Sequence, residues 1–166
     1  MNKWLLSTYF LVLAIISCSL RATELPASLQ VVLISKILTF EHSTSHKKEV
    51  SIFVLGAPKI YQAFNKLKMK GYGDISINQL EIGAKLPEKS FNIIYVGDGD
   101  LIDDAVRYAA KNSTLLVAPN TNWVKKGITV AIGTKDGRPH FYLNLATSTA
   151  SGLKWDDKIL KVAELY

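Results

Sequence analysis

The densest group of side chains able to do chemistry is Gly97-Asp98-Gly99-Asp100, followed by Asp103 and Asp104. Carboxylates so close together suit a hard cation, which takes several oxygen ligands. The spacing lacks the EF-hand pattern, because no Glu stands at the twelfth loop position. The simpler reading is a helix start, with Asp100 as the cap and Asp103 and Asp104 against the positive helix end. Gly56-Ala57-Pro58 is a second strand-to-helix junction, and its amides would suit an anionic group. It has no G-x-G-x-x-G fingerprint and reads more simply as a tight turn. His42 and His46 lie four apart, a chelating distance only on a helix and only with a third ligand. Neither condition is evident, so no metal site is assigned. His140 stands in a strand-like run, as a packing or pairing residue. There is no G-x-S-x-G elbow, no cysteine beyond Cys18, and no serine with a base at a recognisable spacing. No catalytic residue and no cofactor are expected.

The elements that must position these residues alternate. Pro26 to Phe40 has the helical stripe Leu29, Val32, Leu33, Lys36, Ile37, Phe40, with Pro26 in the first turn. Val50 to Leu55 is a continuous apolar strand, and a helix follows from Pro58 to Leu67. Ile75 to Ile82, Phe91 to Val96 and Thr114 to Ala118 read as strands, with a helix over Leu101 to Ala110. Trp123 and Val124 fall in a short helix or turn. Thr129 to Ile132 and His140 to Leu143 flank Lys135-Asp136-Gly137-Arg138, and Asp-Gly is the strongest short hairpin signal. From Leu153 to Tyr166 the apolar residues predict one closing helix.

Strands alternating with helices imply an α/β domain. The expected fold is a single-domain three-layer fold, a mostly parallel sheet flanked by helices, with a C-terminal β-hairpin. In such a sheet the loops at 56–58, 97–100 and 119–120 share the carboxyl edge, where open α/β sheets bind ligands. Gly56, Ala57, Asp98, Gly99, Asp100 and Asn120 are therefore the candidate ligand-binding residues. Trp123 is the candidate partner contact, because Trp is enriched at interface hot spots; the competing reading is a packed, partly buried side chain. Asn144 is suited to satisfying backbone groups after the hairpin.

The N-terminus reads as a targeting segment, residues 1–22. Lys3 supplies the positive end, and Trp4 to Ile16 carries no charge and is broken only by Ser7 and Thr8. That stretch is short for a bilayer span and fits a secretory signal peptide; an uncleaved anchor is the competing reading. Ser17, Ser19 and Ala22 are candidate small residues for cleavage. Ile15-Ile16-Ser17-Cys18 also has the form of a lipobox ending at Cys18, so Cys18 is either lipidated or an ordinary residue of the signal. With no other cysteine, residues 23–166 form no internal disulfide and depend on their core. About 145 residues is a common size for one domain. With Lys3 and Arg21 removed in residues 1–22, 18 basic residues face 14 acidic ones. The densest groups, Lys47-Lys48 and Lys66, Lys68 and Lys70, lack a long stripe with stacking aromatics, so no nucleic-acid partner is expected.

The order of motifs resembles the YfiR family of bacterial periplasmic proteins. Ile34 to Phe40 (ISKILTF), Val50 to Gly56 (VSIFVLG), Phe91 to Gly97 (FNIIYVG) and Ser113 to Asn120 (STLLVAPN) fall in that family's order. Ile128 to Tyr166, with its Asp-Gly turn, Leu143-Asn144-Leu145 and Ser151-Gly152-Leu153-Lys154-Trp155, carries most of the likeness. The chain departs from it at Glu41-His42, where many members have Trp-Pro, and in lacking their paired cysteines, which sets aside redox control. The resemblance implies a non-enzymatic periplasmic regulator. Its partner would be the periplasmic sensor region of an inner-membrane diguanylate cyclase, which it represses, in cyclic di-GMP and biofilm control; a homodimer is also allowed. The alternative is a periplasmic small-ligand binding protein feeding a transporter or sensor.

Overall fold

The computed structural model describes residues 24–42, 49–70 and 76–166. The expected signal peptide (residues 1–22, with Cys18) and His46 lie outside them. Within them the chain runs α1 (Ala27–Leu38), β1 (Glu49–Leu55), α2 (Pro58–Lys70), β2 (Ser76–Gly83) and β3 (Ile93–Val96). It continues through a 3-10 turn (Gly99–Leu101), α3 (Ile102–Asn112), β4 (Leu115–Ala118) and a second 3-10 turn (Thr121–Lys126). It closes with β5 (Val130–Lys135), β6 (Arg138–Leu143), α4 (Leu145–Ala150), α5 (Asp157–Leu160) and β7 (Glu164–Leu165).

One seven-stranded sheet has the order β2-β1-β3-β4-β5-β6-β7. The first five strands in that order are parallel, β6 is antiparallel to β5, and β7 is parallel to β6. The expected α/β architecture is therefore present. The apolar runs that suggested two-sided burial divide by alternation, as the period of two requires. Ile52, Val54, Ile93, Tyr95, Leu115 and Val117 face α1 and α2, against Ile34, Ile37 and Phe64. Phe53, Leu55, Ile94, Val96 and Leu116 face α3, against Ile102, Ala105 and Ala109. Helices on both faces make the three layers.

The hairpin turn is Asp136-Gly137, with both residues at positive φ, 52° and 72°. That is the geometry that matches strand twist, and Gly137 supplies it without steric cost. Lys135 then sits opposite Arg138 in the ladder.

The last segment is not one helix. Leu153 and Trp155 are buried two residues apart, the spacing of an extended chain rather than of a helical face. Asp156 then accepts the Lys158 N–H at 2.7 Å and starts the short α5. Beyond it the chain returns to the sheet, Glu164 opposite Tyr142 and Leu165 opposite Leu143. A local N-cap and an open edge on β6 together outcompete the helical period. The polar stretch after the hairpin instead holds a helix, α4, capped by Asn144: its Oδ1 accepts the Thr147 N–H at 2.8 Å.

Candidate functional site

At the carboxyl edge the strand order reverses between β1 and β3, the usual place for a ligand in such sheets. Here main chain closes it. The Gly97 N–H donates to Leu55 O at 2.8 Å, and the Gly56 N–H to Gly83 O at 3.0 Å. A Cβ on Gly97 would lie 2.7 Å from Ala57 Cβ and 3.0 Å from Leu55 O, so the loops touch because residue 97 has no side chain.

Open space lies to either side instead. One cavity, about 540 Å³, opens between the starts of α1 and α2, with Ala27, Gln30, Ala57, Pro58, Lys59 and Ile60 in its wall. Its floor is a buried pair: Tyr95 Oη–H donates to Gln30 Oε1 at 2.7 Å, and Gln30 Nε2–H donates to Leu25 O at 2.7 Å. Burial, and after it the Glu24 charge, push the Tyr95 hydroxyl far above its usual range, so it remains a protonated donor. A second cavity, about 450 Å³, is lined by Asn120, Thr121, Asn122, Trp123, Gly133 and Thr134. Glu24, Leu25, Gly97 and Pro119 border both.

Of the sequence-expected residues, Ala57 lies in the wall of the first cavity and Asn120 in that of the second. Gly56 turns at φ 69°, facing Asp98. Asp98, Gly99 and Asp100 form the 3-10 turn instead of a wall. The capping carboxylate is Asp98 rather than Asp100: Asp98 Oδ1 accepts the Asp100 N–H at 3.0 Å. The 3-10 turn starts three residues before α3, and Gly99 lies under Trp123; a Cβ there would stand 2.9 Å from the indole Cζ2. Asp103 and Asp104 occupy the first turn of α3, and Asp104 pairs with Arg107. Among the described residues no cluster of metal-ligating side chains occurs. Trp123 is half-buried, packed on Gly99 with its remaining surface on the second cavity.

A different surface was not anticipated. Of six exposed large apolar residues among those described, four stand at the β7 end: Leu145 (36 % exposed), Val162 (60 %), Leu165 (43 %) and Tyr166 (40 %). The Leu145 N–H donates to Tyr166 O at 3.0 Å, which joins the start of α4 to the end of β7. Lys125 Nζ lies 5.5 Å from the centre of the Tyr166 ring. Glu164 accepts from Tyr166 Oη–H at 2.7 Å and from Lys135 Nζ at 3.0 Å. Those hydrogen bonds, Tyr166 first and Lys135 second, hold the Glu164 carboxyl below its usual value and raise both donors. Exposed apolar side chains grouped at one edge, with lysines beside them, are a common feature of protein contact surfaces. The sequence held its signal in Val162, Leu165 and Tyr166, but a single closing helix hid it.

These features define a small doubly wound α/β domain whose first five strands, in spatial order 2-1-3-4-5, follow the flavodoxin-like plan. The chain belongs to the YfiR/HmsC-like family (DUF4154), whose pattern matches residues 27–164. That family is one of periplasmic regulators of diguanylate cyclase signalling. Among solved structures the fold is similar to that of a conserved domain protein from Vibrio cholerae O1 biovar eltor, with a TM-score of 0.54 and 14% sequence identity. That match covers 84% of this chain and 60% of the Vibrio chain, so this chain spans less than two thirds of its length. No curated protein matches the chain. Among the described residues no helix is long and apolar enough to cross a membrane.

Proposed function

We propose that this chain is exported through residues 1–22, acts as residues 23–166, and binds the periplasmic sensor region of an inner-membrane diguanylate cyclase, holding it inactive. The observation that supports the reading is the apolar patch at the β7 edge, Leu145, Val162, Leu165 and Tyr166, with Lys125 beside it. Repression is a population shift: the regulator binds the inactive sensor more tightly than the active one. Release raises cyclic di-GMP in the cytoplasm and favours biofilm formation. If Cys18 instead carries a lipid, the mature chain starts at Cys18, and the six residues on to Glu24 reach at most about 20 Å, which would keep the carboxyl edge near the membrane. Deleting the gene is expected to raise cyclic di-GMP, and unchanged levels would count against the role. Re-expression of the chain with Val162→Asp and Leu165→Asp is expected to leave the level high.

A second reading has its own observation. The two adjoining cavities at the carboxyl edge, about 540 and 450 Å³, support a small-ligand binding role feeding a transporter or sensor. A thermal-shift screen tests it, since a ligand at 100 times its Kd adds about 2.7 kcal/mol.

A further inference from the structure

We infer that the second cavity at the carboxyl edge takes a neutral saccharide, an inference that rests on the small-ligand reading and names its ligand class. The lining decides the chemistry. Asn120, Thr121, Asn122 and Thr134 offer amides and hydroxyls, each able to donate and to accept, and Trp123 offers an aromatic surface. Among the described residues that line this lobe, Glu24 alone is charged. A lining whose one charge is a carboxylate, Lys59 lying in the wall of the other cavity, disfavours an anion, and one exposed carboxylate contributes little to holding a cation. Closely spaced hydroxyls on an apolar ring match both halves of this wall: neutral groups for the hydroxyls, and an indole for the C–H face.

The wall is also set before a ligand arrives. Asn120 Oδ1 accepts the Asn122 N–H at 3.0 Å, which fixes the turn that carries Thr121 to Trp123. Trp123 rests on Gly99, where a Cβ would come within 2.9 Å of the ring. Thr121 rests on Gly133, where a Cβ would meet Thr121 Cγ2 at 2.3 Å. A preformed wall spares the ordering cost of binding. The volume, about 450 Å³, falls in the range of small-molecule sites.

The test uses the mature chain, with glucose, N-acetylglucosamine and maltose at up to ~10 mM, a range chosen for weak affinity. A pool of charged metabolites runs in parallel. Melting temperature and intrinsic fluorescence are read. The expected result is a saturable rise in melting temperature with at least one sugar, and a fluorescence change that Trp123→Phe removes. Asn122→Ala with Thr134→Ala, two exposed positions whose side chains hold no other element, is expected to weaken binding about tenfold or more. Sugar binding that the double variant leaves unchanged overturns the site. Stabilisation by the charged pool alone overturns the ligand class and leaves the small-ligand reading standing. Stabilisation by neither overturns both, and does not touch the partner-binding role.

Discussion

The sheet has two edges, and they are built differently. β2 is eight residues long, and an unprotected edge of that length invites pairing with another chain. It carries the devices that discourage this. Its register against β1 slips at Asn78, between Val50 opposite Ile77 and Ser51 opposite Gln79, which bends the strand. Lys68 Nζ donates to Asn78 O at 3.3 Å, and Lys89 pairs with Glu81 at 2.7 Å. Only Ile82 among its large apolar residues is exposed. β7 has two residues, one ion pair of its own between Lys135 and Glu164 at 3.0 Å, no register slip, and four exposed large apolar side chains around it. The apolar surface left at the second edge is what the proposed partner contact rests on.

The largest effect is expected where the β7 end is anchored. Trp155 is buried, its Nε1–H donating to Ser148 Oγ at 3.0 Å. Its neighbours are stitched to the end of α1: His42 N–H to Lys154 O and Asp156 N–H to Phe40 O, both at 2.8 Å. Trp155→Ala removes the packing and leaves a cavity, so a loss of about 3–5 kcal/mol is expected in denaturant unfolding. A loss under about 1 kcal/mol would mean that the C-terminal segment is held by its hydrogen bonds alone.

Next comes the patch itself. Val162→Asp with Leu165→Asp is expected to weaken partner binding by about 100-fold or more, since central apolar anchors carry most of an interface's energy. Both side chains are exposed, so the melting temperature should barely move. Ile82→Asp on β2 is the control and is expected to leave binding unchanged. The reverse pattern, binding lost at β2 and kept at β7, would invert the comparison of the edges.

The two edges also differ in how legible they were in the sequence. The β2 side and the sheet centre were readable because their signals are periodic and local: unbroken apolar runs for Ile52 to Leu55 and Leu115 to Ala118, and an Asp-Gly turn at 136–137. The β7 side was not. Its two residues pair with β6 only after Leu153 and Trp155 are buried against α1, a tertiary choice that no local period records. The carboxyl edge stands between these extremes. Topology alone brought Ala57 and Asn120 to the cavities, whereas the roles of Asp98 and Gly99 turned on the approach of Trp123 from a later turn. Seeing that approach requires the fold.

Acid should loosen both edges, each through one carboxylate. Glu81 is held below its usual value of 4.5 by its hydrogen bond from Lys89 and then that from Gln79. Glu164 is held below 4.5 by Tyr166 and then Lys135. A lowered folded-state value means that each contribution is complete above the unfolded carboxylate's value and is lost as pH falls through the folded one. Carboxyl titration by NMR should give midpoints below 4.5 for both. Amide exchange on acidification should rise more at β7 than at β2, because seven register pairs remain between β1 and β2 and two between β6 and β7. In Glu164→Gln that acid response of β7 should disappear; if it persists, some other group controls the edge.

The smallest expected effect concerns the guard on β2. Lys68 is exposed and its contact with Asn78 O, at 3.3 Å, is long. Removing it with Lys68→Ala should change stability by no more than ~0.5 kcal/mol. Its value lies in what it prevents, since an edge carbonyl freed of a lysine can accept from another chain. Self-association of Lys68→Ala with Lys89→Ala, followed by sedimentation across a concentration series, should therefore exceed that of the unaltered chain, while affinity for the partner at β7 stays constant. If the double variant remains as monodisperse as its parent, the register slip at Asn78 is a sufficient guard by itself, because a bent strand presents no straight ladder to pair with.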